Sequence, residues 1–349
     1  MLLGAAHTNG LYTVPAASGT QFADGVAKIK ELGLPVLKVY CTPDYALNYP
    51  LETAFSSTPT TCKELLQTTE FSTALADSHW QRVIFTTFTF ANNPGGVTNW
   101  WRLGPTNAQL EAEYDEIYEM TEHLLTTYND SGKDLILQNW EGDWSYLDAF
   151  SPTTRNLRRY TEFYSAFLGA RQRAVSDAMR DTAHINVSVR HAIEVNRVLD
   201  AVAQPHLPRM LTSIAERVTP DIVSYSAYDS TIADYGWAAN HATWTANCET
   251  YFPKALRAIK RAWPGVPMQI GEFGYPENEA EFDHTPSRPV DEMIQTTYDI
   301  ALDEGVETFI YWEVFDNETH GTYTYRGYWL FDNLGTKTVA GTKMEALAL

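Results

Sequence analysis

Eight short runs rich in β-branched and aromatic residues recur along the chain, and stretches with helical spacing lie between them. The runs are Leu2 to His7, Val36 to Cys41, Arg82 to Phe90, Asp134 to Glu141, Ile185 to His191, Ile222 to Tyr228, Met268 to Phe273 and Glu307 to Glu313. Helical periodicity marks Asn107 to Tyr128, Thr153 to Arg180, Cys248 to Trp263 and Pro289 to Glu304, the last opening with proline near its first turn. Strands that alternate with helices in this way read as a closed parallel barrel. No low-complexity tract or Pro/Gly/Ser linker divides the sequence, so residues 1–349 are expected to form a single (β/α)8 TIM barrel of the α/β class. An open doubly wound sheet is the alternative, but no GxGxxG or P-loop signature follows any run.

Charge and composition narrow the partners. Forty-four Asp and Glu against 25 Lys and Arg give a net charge of −19, which argues against nucleic acid and anionic membrane surfaces. No run approaches the roughly 18 apolar residues of a membrane helix. Cys41, Cys62 and Cys248 match no zinc spacing. They read as buried thiols, or Cys41 and Cys62, near one end of the second β/α unit, as a disulfide, which would imply an oxidising compartment. Met1 runs straight into a strand-like segment, so any export signal was removed or never existed. Low lysine with many Ser, Thr, Tyr and Trp suggests a secreted protein, taken here as a monomer.

In such a barrel the chemistry collects at the carboxyl ends of the strands. Glu141 closes the fourth run and Glu272 the seventh, on opposite sides of the mouth. Two facing carboxyls are what glycosidic cleavage needs: one protonates the leaving oxygen, the other attacks the anomeric carbon or activates water. Period-two alternation places Leu135, Leu137, Asn139 and Glu141 on one inward face, and Met268, Ile270 and Glu272 on another. By the same rule Asn186, Ser188 and Arg190 face inward.

At these residues the sequence resembles glycoside hydrolase clan A, the retaining (β/α)8 glycosidases that include family-5 cellulases and mannanases. Ile270-Gly271-Glu272-Phe273-Gly274 is similar to the clan's nucleophile segment, Tyr311-Trp312 to its strand-eight sugar platform, and Tyr328 to Gly335 to its closing segment. The resemblance implies that Glu141 is the acid/base and Glu272 the nucleophile, with carboxyl groups about 5 to 5.5 Å apart, the spacing of a retaining mechanism. Two departures stand out. Trp140 separates Asn139 from Glu141, where the clan has Asn directly before its acid/base. Lys38 replaces the clan's strand-two Arg, without its bidentate fork, and Arg190 is a candidate for the missing cation.

The remaining strand-end residues complete an expected substrate site of His7, Lys38, Asn139, Trp144, Arg190, His191, Tyr228, Trp237 and Trp312. Tyr225 is the fallback for Tyr228, and Asp143, Glu194, Asp229 and Glu313 compete with Glu141 as acid. Trp100, Trp101, Trp140, Trp144, Trp237, Trp244 and Trp312 all fall at or after strand ends, where indoles suit the C–H face of a sugar. Together they suggest a cleft of several subsites, hence an endo-acting hydrolase of β-linked polysaccharide or oligosaccharide.

Rivals from other classes fit less well. A phosphate-handling barrel wants a Gly-rich phosphate loop, and a metal hydrolase wants paired histidines, whereas His7 and His191 stand alone. No metal or cofactor is expected. A catalytically degenerate carbohydrate-binding protein on the same barrel differs only in the use of the Glu141 and Glu272 pair.

Overall fold

The computed structural model describes residues 1–8, 20–49, 55, 58–147, 157–232, 241–277, 289–318 and 325–349. Its strands are β1 Leu2–His7, β2 Val36–Cys41, β3 Arg82–Thr87, β4 Asp134–Gln138, β5 Ser188–Val195, β6 Ile222–Ser226, β7 Met268–Phe273 and β8 Thr308–Tyr311. They pair in chain order, all parallel, and β8 returns to β1 to close the barrel. The helices between them pack on the outside, among them Asn107–Thr127, Leu157–Asp181, His241–Ala262 and Val290–Asp303. Three of the four were expected to within about four residues. His241–Ala262 begins seven residues before the Cys248 start read from periodicity.

β1, β2 and β7 match the expected runs, whereas β5 does not. It starts at Ser188 and continues to Val195, so His191 lies in mid-strand and Glu194 near the mouth. Asn186, just before it, holds a positive φ of 47°, a left-handed turn in which Ile185 is left exposed.

The inner face of the barrel is identified by its contacts. Paired residues on parallel strands share a face, and Gln138 sits beside Ala192, Glu194 beside Ser224, and Ser224 beside Gln269. Gln269 donates to Gln138 at 3.2 Å across the lumen and Gln138 donates to Glu194 at 2.9 Å. Gln138 and Gln269 therefore point inward, which reverses the expected phase of β4 and β7. Leu135, Leu137, Met268 and Ile270 belong to the face covered by helices, where burial of apolar area is greatest. The lumen of this barrel is largely polar.

At the amino end the lumen is plugged by ions. Arg82 bonds Asp134 at 2.7 Å and Glu307 at 3.2 Å, and Arg190 also bonds Asp134. Burial alone would raise the Asp134 carboxyl, but the Arg190 hydrogen bond and the charges of both arginines hold it below the usual range. Arg190 is thus inward, as expected, but at the end of the barrel away from the mouth. It is not a site cation.

Candidate active site

β7 would carry Glu272 to the helix face if alternation held after Gln269. It does not, because the pairing register slips: Tyr225 sits opposite Ile270, but Ser226 sits opposite Glu272. Gly271 is the extra residue of this bulge, so Gly271 and Glu272 both face the lumen. A side chain at Gly271 has no room: a Cβ there would lie 2.0 Å from the Ser224 hydroxyl and 2.7 Å from Glu194 Oε1. Glu141 also reaches the mouth by a break in regularity. β4 ends at Gln138, the chain bends through Trp140, and the helix Gly142–Leu147 begins just after Glu141.

The two carboxylates meet at one hydroxyl. Ser226 Oγ donates to Glu141 Oε1 at 2.6 Å and lies 3.5 Å from Glu272 Oε2. The two glutamate oxygens are therefore no farther apart than those contacts laid end to end. Lys38 Nζ donates to Glu272 Oε1 at 2.7 Å and to the Gly271 carbonyl at 3.1 Å. Its third contact, at 3.2 Å, is Glu194 Oε1.

Sequence reasoning named Glu194 only as a rival acid and missed its place beneath the pair. Its side chain is fully buried and accepts hydrogen bonds from Lys38 Nζ, Gln138 Nε2, Ser224 Oγ and the Glu141 backbone N–H, the last at 2.8 Å. Ser226 and Tyr40 were missed as well. Alternation along β2 from Lys38 leads to Tyr40, and alternation along β6 from Ser224 leads to Ser226, so the signal was present once one inward residue on each strand was known.

Among the described residues, one cation thus faces three acids. Burial raises Glu141 well above the usual carboxylate range, and the neighbouring Glu272 and Glu194 add to it. Burial also raises Glu272, to about 7, with Lys38 opposing the rise. Burial would lower the Lys38 ammonium, but the Glu194 and Glu272 carboxylates outweigh it and raise it. The two carboxyls titrate as a pair, and the lysine favours charge on Glu272. Tyr40 and Tyr228 are held neutral, first by burial and then by Glu272. The Tyr228 hydroxyl has no hydrogen-bond partner among the described residues.

Other expected residues are distributed as follows. Trp312 is 8% exposed, lies edge-on to Tyr40 at 6.4 Å and donates its indole N–H to Glu318. Trp144, half-buried, lies under the Arg197 guanidinium at 4.8 Å. Trp100 and Trp140 are half-buried too. Trp237 lies outside the described residues. Trp101 and Trp244 are packed away, Trp101 against Tyr164 and Trp244 against Tyr275, so they offer no platform.

Three expected ligands are not at the mouth. His7 points to the helix Gln21–Glu31, with Nε2 3.0 Å from the Gln21 carbonyl, and burial lowers it to about 4. His191 faces Gln172 of the helix Leu157–Asp181, and burial lowers it to about 3. Asn139 faces the same helix, 3.3 Å from the Tyr164 hydroxyl, while its Oδ1 accepts from the Glu194 N–H. Each sits on an outward phase of its strand. Of the competing acids, Asp143 accepts from the backbones of Asn196, Arg197 and Met210, and Asp229 from Leu199 and Tyr225, so both fasten loops. Tyr225 faces Phe252 on the outer layer. Among the described residues no three His, Cys, Asp or Glu side chains gather as metal ligands. All three cysteines are buried and free.

A closed (β/α)8 barrel is the architecture shared by the solved structures that resemble this chain. One is a glutamate-to-alanine variant of a GH5_18 protein from Bifidobacterium longum in complex with Manb1-4GlcNAc: 16% identity, TM-score 0.62, all of this chain and 78% of that one. A GH5_18 from Streptomyces cattleya in complex with GlcNAc has 12% identity and TM-score 0.58, over 93% of this chain and 73% of that one. A β-glucuronidase from Ruminococcus gnavus has 11% identity and TM-score 0.56, over all of this chain and half of that one. At such identities the likeness is one of fold, and the fold is the one the clan resemblance implied. No protein-family model and no curated protein matches the sequence.

Proposed function

We propose that the chain is a retaining glycoside hydrolase that cleaves β-linked glycosidic bonds, with Glu141 as acid/base and Glu272 as nucleophile. The observation that carries this reading is the Ser226 hydroxyl spanning both carboxylates at the mouth. That bridging favours the short carboxyl spacing of a retaining pair over the wider gap in which an inverting mechanism places a water.

The chemistry follows from the charges around the pair. Lys38 favours ionised Glu272, which attacks the anomeric carbon, while Glu141, raised by burial, delivers its proton to the leaving oxygen. The C–O bond breaks as the glycosyl-enzyme bond forms. Glu141, now a carboxylate, then takes a proton from the water that hydrolyses the ester, which restores both groups. Trp312 forms the wall beside Tyr40, and the half-buried Trp100, Trp140 and Trp144 supply apolar surface around the mouth. That surface supports an endo-acting enzyme on a polymer or oligosaccharide. Secretion is part of the same proposal and rests on composition alone.

NMR of the first-formed product on a panel of β-linked glycans tests the reading. Retained configuration is expected. An inverted product, or undiminished turnover by Glu272→Gln, would remove Glu272 as nucleophile.

A further inference from the structure

Beneath the two carboxyls lies a third that cannot touch a substrate. The Glu194 side chain has no exposed surface, and all four of its partners are donors. Two of those contacts lead directly to the proposed catalytic pair. Glu194 Oε2 holds the Glu141 backbone N–H at 2.8 Å, at the bend that turns Glu141 out of β4. Glu194 Oε1 shares Lys38 Nζ with Glu272, at 3.2 Å against 2.7 Å. Gly271 makes the arrangement possible, since a Cβ there would occupy the space that Glu194 and Ser224 fill.

We propose that Glu194 is a positioning residue for the catalytic pair: it fixes the backbone of Glu141 and draws part of the Lys38 charge away from Glu272, thereby setting the pH range in which one carboxyl is ionised while the other keeps its proton. A lysine devoted to Glu272 alone would make the nucleophile too weak a base and hold its proton off well below neutrality. A lysine shared with a permanent third partner leaves Glu272 titrating near neutral pH.

The groups facing this centre come from every side. Glu272 meets Lys38 and Tyr40 from β2, Glu141 from beyond β4, Glu194 from β5, Tyr228 from beyond β6, and Glu313 and Glu318 from beyond β8. Among them Lys38 is the one cation that both bonds and shifts Glu272. Removing Glu194 therefore lowers the titration of both members of the pair, since its charge opposes ionisation of each.

The test is a carboxyl 13C NMR titration of glutamate-labelled protein, with the Glu272 resonance assigned by its loss in Glu272→Gln. Glu194→Gln should move the Glu272 midpoint down by about 1 pH unit, and Lys38→Met should move it up by at least as much. The acid limb of kcat/KM should follow in both directions, which a merely structural role would not produce. Glu194→Asp withdraws the carboxylate by one methylene without removing it. It should shift the midpoint the same way by a smaller step, and it keeps the test intact if Glu194→Gln does not fold. A folded Glu194→Gln or Glu194→Asp protein whose Glu272 midpoint matches the parent overturns the proposal. The catalytic meaning rests on the function proposed above, but the NMR titration needs no substrate. Shifted midpoints without turnover on any glycan would sink that function and leave Glu194 in place, whereas turnover without a shift would do the reverse.

Discussion

The two ends of the barrel lumen are both built from buried ions, yet they are balanced differently. At the amino end Arg82 and Arg190 face Asp134 and Glu307, cation for anion. At the carboxyl end Lys38 is, among the described residues, the one cation bonded to the group formed by Glu141, Glu194 and Glu272. The first arrangement holds its carboxyl Asp134 ionised and the second forces carboxyls to keep protons. Buried charge that is fully paired serves the fold, and buried charge left short of partners is where proton chemistry becomes available.

Substitutions at the two ends should separate these roles most sharply in turnover. On the proposed mechanism, Glu272→Gln should lower kcat on the order of 10⁴-fold or more, the size of loss seen when one member of a catalytic unit is removed. Glu141→Gln should lower it by roughly 10²- to 10⁴-fold on alkyl glycosides and much less on aryl glycosides, whose leaving groups need no proton. Arg190→Met, at the far end, should leave kcat/KM within about twofold, a margin small beside the effects of general acid/base loss. Steady-state kinetics on both substrate types reads all three.

Stability should show the next largest difference. Lys38→Met should cost about 3–5 kcal/mol by urea unfolding at pH 8, because two buried carboxylates lose their cation. The loss should shrink as pH falls and Glu272 takes a proton. Glu272→Gln should move the other way. The Glu272 carboxyl is raised in the fold to about 7 from 4.5, so the native state holds the proton longer than the unfolded chain does. Its contribution is therefore most favourable below 4.5 and is lost as pH rises through about 7. Glu272→Gln should be more stable than the parent by about 1–3 kcal/mol at pH 8 and no different below pH 4.5.

The smallest effect belongs to the balanced end. Arg190→Met should cost about 1 kcal/mol near neutral pH, since Arg190 is 23% exposed and Arg82 still holds Asp134. Asp134 is lowered in the fold, so this contribution is present above its ordinary 3.8 and fades as pH falls through the folded value. Unfolding curves at neutral pH and near pH 3 check it.

The order of elements and the identities of the two mouth glutamates were legible because runs of β-branched residues and their spacing survive in any barrel. The inward faces of β4 and β7 were not. Apolar alternation in Leu135-Leu137 and Met268-Ile270 marks the face under the helices, whereas the lumen here is filled by Gln138, Gln269 and Lys38. Glu141 and Glu272 reached the mouth through a bend and a bulge, irregularities that period-two reasoning does not contain. Glu194 was legible as a rival acid but not as a lumen residue of β5, because the run read for that strand stops at His191, four residues early. His7 was assigned by nearness to a strand end, which says nothing of which way a side chain points, and Asn139 by the alternation that Gln138 reverses.

The Gly271 bulge also bears on how such a site can change over generations. A larger residue there collides with Ser224 and Glu194, and deletion of the extra residue removes the carbonyl that Lys38 holds at 3.1 Å. Either step disturbs the contacts of Lys38 or Glu194 with the pair. Adaptive variation in substrate is then expected in the loops beyond the strand ends, where single changes are survivable, while the strand that bears Glu272 keeps its glycine.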